Sequence, residues 1–227
     1  NYLEKYIEFT DYFFDFVKSG RIRIRIMFTH NQFRANNLTT EQKDNEYFIL
    51  YYQFIKHAFG LIHSNPQHLD RIYVSILLDQ VPNNKEKFDN FKDHISGLSR
   101  TNEFQNARVI IQRDQIADVV SHDHVIMQGL DILLGAIQFR LNDKHLEKPA
   151  NSRKRGRRTI AKEKLYKQIN RRIRDIYPNF NIGVSTGMPN GLADRWFHPY
   201  RHWCFQSANA DRDPNFIPKN VAPPEPT

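Results

Sequence analysis

Only one cysteine, Cys204, stands in the 227 residues. It can form no internal disulfide, and thiolate zinc sites need several cysteines. A reducing, cytoplasmic setting is therefore the simplest expectation. Long apolar runs are missing too. The longest, Val125 to Ile137, is broken by Gln128 and Asp131. None reaches the roughly 18–20 residues that a membrane span needs, so no membrane partner is expected. No P-loop, GxGxxG, GxSxG or HExxH occurs. That removes the usual sequence support for nucleotide hydrolysis, dinucleotide redox chemistry, hydrolase-fold serine chemistry and zincin chemistry. No secretory signal is visible, and the chain opens on Asn1 rather than Met. The expectation is a start inside a longer product or removal of an upstream piece.

What is present is an ordinary globular composition, 40% apolar and 26% charged, with aromatics at 13%. Such a chain can build a sizeable core, and a disordered or collagen-like reading is excluded. The net charge of +8 is unevenly placed: between Arg140 and Arg174, 14 Lys and Arg stand against three acids, while the remainder is net negative. Basicity confined to one segment favours a polyanion partner, most economically nucleic acid. A protein partner in a complex is the other explanation for it.

Along the chain, residues 2 to 17 carry apolar side chains at helical spacing, and Ser19-Gly20 stops them. Arg21 to Phe28 alternates strictly, with Ile22, Ile24 and Ile26 on one strand face and three arginines on the other. The expectation is a charge-guarded sheet edge; the alternative is a ladder facing nucleic acid. Asn31 to Asn37 reads as a loop, followed by one long amphipathic helix to about His63. Ile72 to Leu78 reads as a strand central in a parallel sheet, with Asp79 at its end. A helix over about 84–98 and a short strand from Ala107 to Ile111 follow. A further helix runs to about Leu141, with Ser121 as its expected N-cap. A basic loop over Lys144 to Arg158 leads to a basic helix from Thr159. The chain beyond Pro178 reads as irregular, with a dense piece from Trp196 to Phe205, either a satellite core or a base-stacking patch, and a Pro-rich tail after Pro214. The alternation of strands and helices argues for an α/β sheet with flanking helices. The expected organisation is a core over 1–141, a basic loop and helix over 142–177, and an aromatic extension over 178–227.

Few residues could carry chemistry. Asp79 ends a strand, where ligands of open α/β sheets sit. Asp131 lies in an otherwise apolar helix and shares a face with His124 and Gln128. It is either a helix-surface acid or a metal ligand on which a second acid, best Asp79, converges. The run Ser121, Gln128-Gly129-Leu130-Asp131, then Gly135-Ala136, resembles the Ser…Gln-x-x-Asp helix of a bacterial domain-of-unknown-function family numbered 3800, to which a ribonuclease-H-like fold is assigned. Ile72 to Asp79, Phe180 to Ser185 and Trp196 to Phe205 look like the same family. The resemblance implies a ribonuclease-H-like mixed sheet and metal-dependent phosphodiester hydrolysis. It implies that Asp79 and Asp131 are catalytic ligands of Mg²⁺ or Mn²⁺ in a two-metal site, with His124 and Gln128 as accessory groups. The family's first-strand Asp-Glu-Ser-Gly motif has no counterpart here. The alternative is thus a catalytically incomplete binding or scaffold subunit, in the family's associated setting of mobile elements or phage defence. Nucleic acid would be held through its backbone by Arg153, Lys154, Arg155, Arg157, Arg158, Lys162, Lys164, Arg171 and Arg172.

Overall fold

The computed structural model describes residues 2–67, 70–79, 81, 84–150 and 152–216. It is a mixed α/β structure whose helices gather round small two-stranded sheets. Helix α1 (Tyr2–Lys18) turns Thr10, Phe13, Phe14 and Val17 inward. It ends at Gly20, where φ of 76° suits a residue without Cβ and the amide bonds the Val17 carbonyl. Strand β1 (Ile24–Phe28) follows. β2 (Phe33–Ala35) lies inside the expected loop and pairs antiparallel with β6 (Ala210–Arg212), so that polar segment is partly strand.

The expected single helix before His63 is broken. α2 (Thr40–Asp44) is closed by a capping box between Thr39 and Gln42, and α3 (Glu46–His57) starts afresh. β3 (Ile72–Asp79) runs parallel to β4 (Val109–Val119), which is far longer than the short strand expected. Between them lie α4 (Lys85–Gly97), capped by Asn84, and α5 (Asn102–Asn106). Among the described residues β3 pairs with β4 alone, so it is not a central strand. One face of the pair is covered by Phe91 and Ile95, while Tyr73 and Leu77 stay exposed.

α6 (Val125–Leu141) begins after a 3-10 turn over Ser121–Asp123. Its N-cap is His124, without a side-chain bond, and not the expected Ser121. α7 (Arg157–Ile176) starts two residues before Thr159. The stretch beyond Pro178 is not merely irregular: after the single turn α8 (Asp194–Phe197), β5 (Tyr200–Cys204) lies parallel to β1, with Ile24 opposite Tyr200 and Phe28 opposite Cys204. Residues from 217 onward, most of the Pro-rich stretch, fall outside the described residues.

Two cores result. In the first, Phe13 and Phe14 of α1, Ile24 and Ile26 of β1, Leu133 and Ile137 of α6, Tyr166, Ile169 and Ile173 of α7, and Tyr200 of β5 pack together. The second joins α3, β3, α4, α5 and β4, with Trp196 against its rim. Gly60 lets the backbone at Arg195 and Trp196 approach closely. At φ 64°, it sits where a Cβ would lie 2.6 Å from the Trp196 amide nitrogen. Any side chain there would meet backbone as well as a left-handed penalty.

Candidate functional site

Asp79 ends β3 on the side of a parallel pair where ligands dock. Its Oδ1 is buried and finds no hydrogen-bond partner among the described residues. A carboxylate oxygen in that state is costly unless something completes it. Beside it stands Tyr47 of α3. Burial, the hydrogen bond with Tyr51 and the charges of Tyr51 and Asp79 together push the Tyr47 hydroxyl well above its usual range. The Tyr47 ring lines a hollow of about 390 Å³ between β1, α3 and α6, and Asp131 borders the same hollow with Arg25 and Leu134. Asp131 is exposed on α6 and reaches the hollow from its rim. Asp79 does not line this hollow; Tyr47 does, and feels the Asp79 charge, so the two acids that the sequence singles out share a neighbour but no cavity.

The rest of the α6 constellation points elsewhere. The Gln128 amide donates to the His122 carbonyl at 2.6 Å, closing the turn before the helix. The backbone carbonyl of His124 accepts from the Gln128 amide N–H. Neither side chain is brought onto Asp131.

The carboxylates that the sequence offers to Mg²⁺ or Mn²⁺ are these two, and they line no common cavity among the described residues. Among the described residues no group of three or more His, Cys, Asp or Glu could hold a metal. The orphaned Asp79 oxygen fits a hard cation. Mg²⁺ keeps several waters and takes one or two carboxylates plus substrate phosphates, a demand that Asp79 alone could meet in part.

The basic segment divides into two populations. Arg155 is half-buried and donates to the Glu163 carboxylate at 2.6 Å and to the His145 carbonyl at 2.8 Å. Glu163, bonded first by Lys167 and then by Arg155, is held below the usual carboxylate range. Arg172 is engaged by Asp15 and by the Asp11 carbonyl of α1. These two brace the fold and do not belong to an open face. Arg153, Lys154, Arg157, Arg158, Lys162, Lys164 and Arg171 are exposed. On α7, Arg157, Lys164, Lys167, Arg171 and Arg174 fall at three- and four-residue spacing or its sums, so they share one outward stripe. At 1.5 Å per residue it extends about 26 Å. Arg157 and Arg158 occupy the first turn, where the helix dipole disfavours cations, and Gly156 supplies no side-chain cap.

Of the alternating arginines only Arg25 lies on β1, and it is buried where the alternation predicts exposure. Arg21 lies over Phe16 and Arg23 over Trp196, at 4.4 and 4.5 Å from the ring centroids. Arg25 is 8% exposed and donates to the carbonyls of Ile24, Arg195 and Trp196. Among the described residues β1 pairs with β5 alone, so it remains an edge strand, with exposed Arg21 and Arg23 just before it and Arg25 turned inward. The aromatic piece is divided: Tyr200 belongs to the first core, Trp196 packs against the second, and Phe197 is exposed.

His202, opposite Ile26, is fully buried. Its Nδ1 faces the Ile182 carbonyl at 3.4 Å, which can only accept, so Nε2 accepts from the Tyr200 hydroxyl at 2.5 Å. Burial pushes this imidazole down to about 4, opposed only by the Ile182 bond. The neutral form is the one the fold holds. As pH falls below about 6.5 the unfolded chain takes up a proton that the fold refuses until about pH 4. Stability is therefore complete above that window and declines through it, by about 3 kcal/mol in all. Urea unfolding between pH 7 and 4 should show this slope, and His202→Gln should flatten it; a slope unchanged in the variant would assign acid sensitivity to other groups.

Sequence reasoning missed Tyr47, whose place in a run of apolar and aromatic residues reads only as core, and Arg201, which sits within the aromatic piece. No protein-family model, curated protein or solved structure matches the chain.

Proposed function

We propose that the chain carries part of a metal-dependent phosphodiester hydrolase acting on nucleic acid, in the ribonuclease-H-like arrangement that the sequence resemblance implies. One observation carries the reading: the buried Oδ1 of Asp79, without a partner among the described residues, at the C-terminal end of a parallel strand, its charge felt by Tyr47, which lines the hollow that Asp131 borders. Asp79 and Asp131 would hold the ion. Bound there, Mg²⁺ or Mn²⁺ would stabilise charge on the phosphoryl oxygens and acidify a water. Arg25 brings positive charge to the same hollow, and the stripe on α7 would track the phosphate backbone without reading bases.

The donor count supports a second reading. Two carboxylates are fewer than a two-metal nuclease employs, as a nucleic-acid-binding subunit without catalysis would have. One experiment separates the two. Mn²⁺ titration by electron paramagnetic resonance should give a site that Asp79→Asn and Asp131→Asn each weaken at least about tenfold, with melting temperature nearly unchanged for the exposed Asp131. Cleavage of labelled RNA and DNA in Mg²⁺ or Mn²⁺ should fall with it. Binding that persists without any cleavage supports the second reading. Metal affinity indifferent to both substitutions overturns the site.

A further inference from the structure

Arg25 and Arg201 are register partners on adjacent parallel strands, and their side chains are 8% and 7% exposed. Like charges directly opposite across a sheet repel, and burial removes the water that would screen them. Among the described residues neither guanidinium pairs with a carboxylate. Backbone carbonyls meet them instead: Arg195 and Trp196 for Arg25, Thr186 and Gly187 for Arg201. These supply dipoles but no countercharge. Burial, then Arg201 and Arg23, pulls Arg25 down to about 9. Burial lowers Arg201 as well, against the charge of Asp194. Asp194 itself is occupied by the Asn190 amide at 2.9 Å and by His198.

Both arginines line a cavity of about 190 Å³ together with Arg195, His57, Ser185 and Thr186. No Asp or Glu lines it. At roughly 30 Å³ per water it has room for about six waters, or for one tetrahedral oxyanion with part of its hydration. Guanidinium forks match such an oxyanion in charge and geometry.

We propose that this cavity seats a phosphate group, carried by inorganic phosphate, a mononucleotide or the 5′ end of a nucleic acid. The claim does not rest on the carboxylate site, because it needs neither a metal nor cleavage. The competing account is that the arginines only brace the 185–197 loop. Thermal melts of the whole chain, with orthophosphate replacing chloride at constant ionic strength, distinguish the two. With half-saturation near 1 mM, the melting temperature should rise about 4 °C at about 20 mM phosphate. Arg195→Gln removes a half-exposed cation of the cavity and should abolish most of that rise while leaving the phosphate-free melt in place. Lys164→Gln, on the outer stripe of α7, should keep the full rise. Arg201→Met, checked for folding by circular dichroism, should show none. Parallel titrations with a nucleoside monophosphate, and with a short oligonucleotide bearing or lacking a 5′-phosphate, identify the source as the one that saturates lowest. No rise beyond the chloride control, or an undiminished rise in Arg195→Gln, overturns the seat and leaves the pair as a brace.

Discussion

Replacing Arg153, Lys154, Arg157, Lys164 and Arg171 by Gln is expected to flatten the salt dependence of duplex binding by about 4.5 in the slope of log K against log salt, at about 0.9 per phosphate released. Between 50 and 200 mM salt, wild-type affinity should then fall about 500-fold more than that of the variant. These five side chains are exposed, three of them on one stripe of α7. Arg155 and Arg172 are left in place because they hold Glu163, Asp15 and the Asp11 carbonyl, and their loss would disturb the fold. The loss should be equal on unrelated sequences, since phosphate contacts carry no base information. On single strands the slope is shallower, at about 0.7 per phosphate. Fluorescence anisotropy at four or more salt concentrations reads both quantities. Coincident slopes would remove the polyanion surface and make a protein partner the better account of the charge. Surface substitutions of this kind shift stability little, so a collapse in melting temperature would mark the stripe as structural instead.

The basic segment was legible because charge needs no tertiary context to be counted. What the sequence could not divide was its function: the stripe and the braces are both Lys and Arg, and Arg172 is told apart by Asp11 and Asp15 of α1, over 150 residues away, as Arg155 is by Glu163 and the His145 carbonyl. β3 and its terminal Asp79 were legible for a similar local reason, an apolar run ending in an acid. The arginine strand shows the opposite case. Period-two alternation correctly places Ile24 and Ile26 in the core, but it assigns the other face to water. The loop carrying Arg195 and Trp196 covers that face, and its contact depends on the close approach at Gly60. β5 escaped notice because Tyr200-Arg-His-Trp-Cys mixes polar and aromatic residues with no clean period. Its pairing is with a strand 176 residues earlier in register, which no local pattern announces. β2 and β6 are three residues each, too short to stand out from loop. The sequence paired Asp79 with Asp131; Tyr47, which feels the first and lines the hollow bordered by the second, is a residue that core patterning conceals.

Ile169→Ala combined with Ile173→Ala should be the most damaging of these changes to stability. Both side chains are 0% exposed and lie one helical turn apart on the inner face of α7, against Phe13 and Phe14 of α1, Ile137 of α6 and Tyr200 of β5. Each truncation removes buried methyl groups and leaves a cavity, at about 2–5 kcal/mol apiece. Because the two sites are neighbours, their costs share one void and are not strictly additive, so about 4–8 kcal/mol is expected for the pair. Total stabilities of about 5–15 kcal/mol leave little beyond that. At about 2–4 °C per kcal/mol for a chain of this size, the melting temperature should drop by about 10–30 °C. Lys164→Gln with Arg171→Gln, on the outer face of the same helix, should stay within about 0.5 kcal/mol of wild type. Urea denaturation followed by far-ultraviolet circular dichroism reads the difference. The contrast tests whether the basic helix is part of the main core, as its contacts with α1, α6 and β5 require, or a segment appended to it, as the charge boundary near residue 142 suggests. If the double alanine variant melted within a few degrees of wild type, the first core would close without α7, and the cationic stripe would ride on a detachable element.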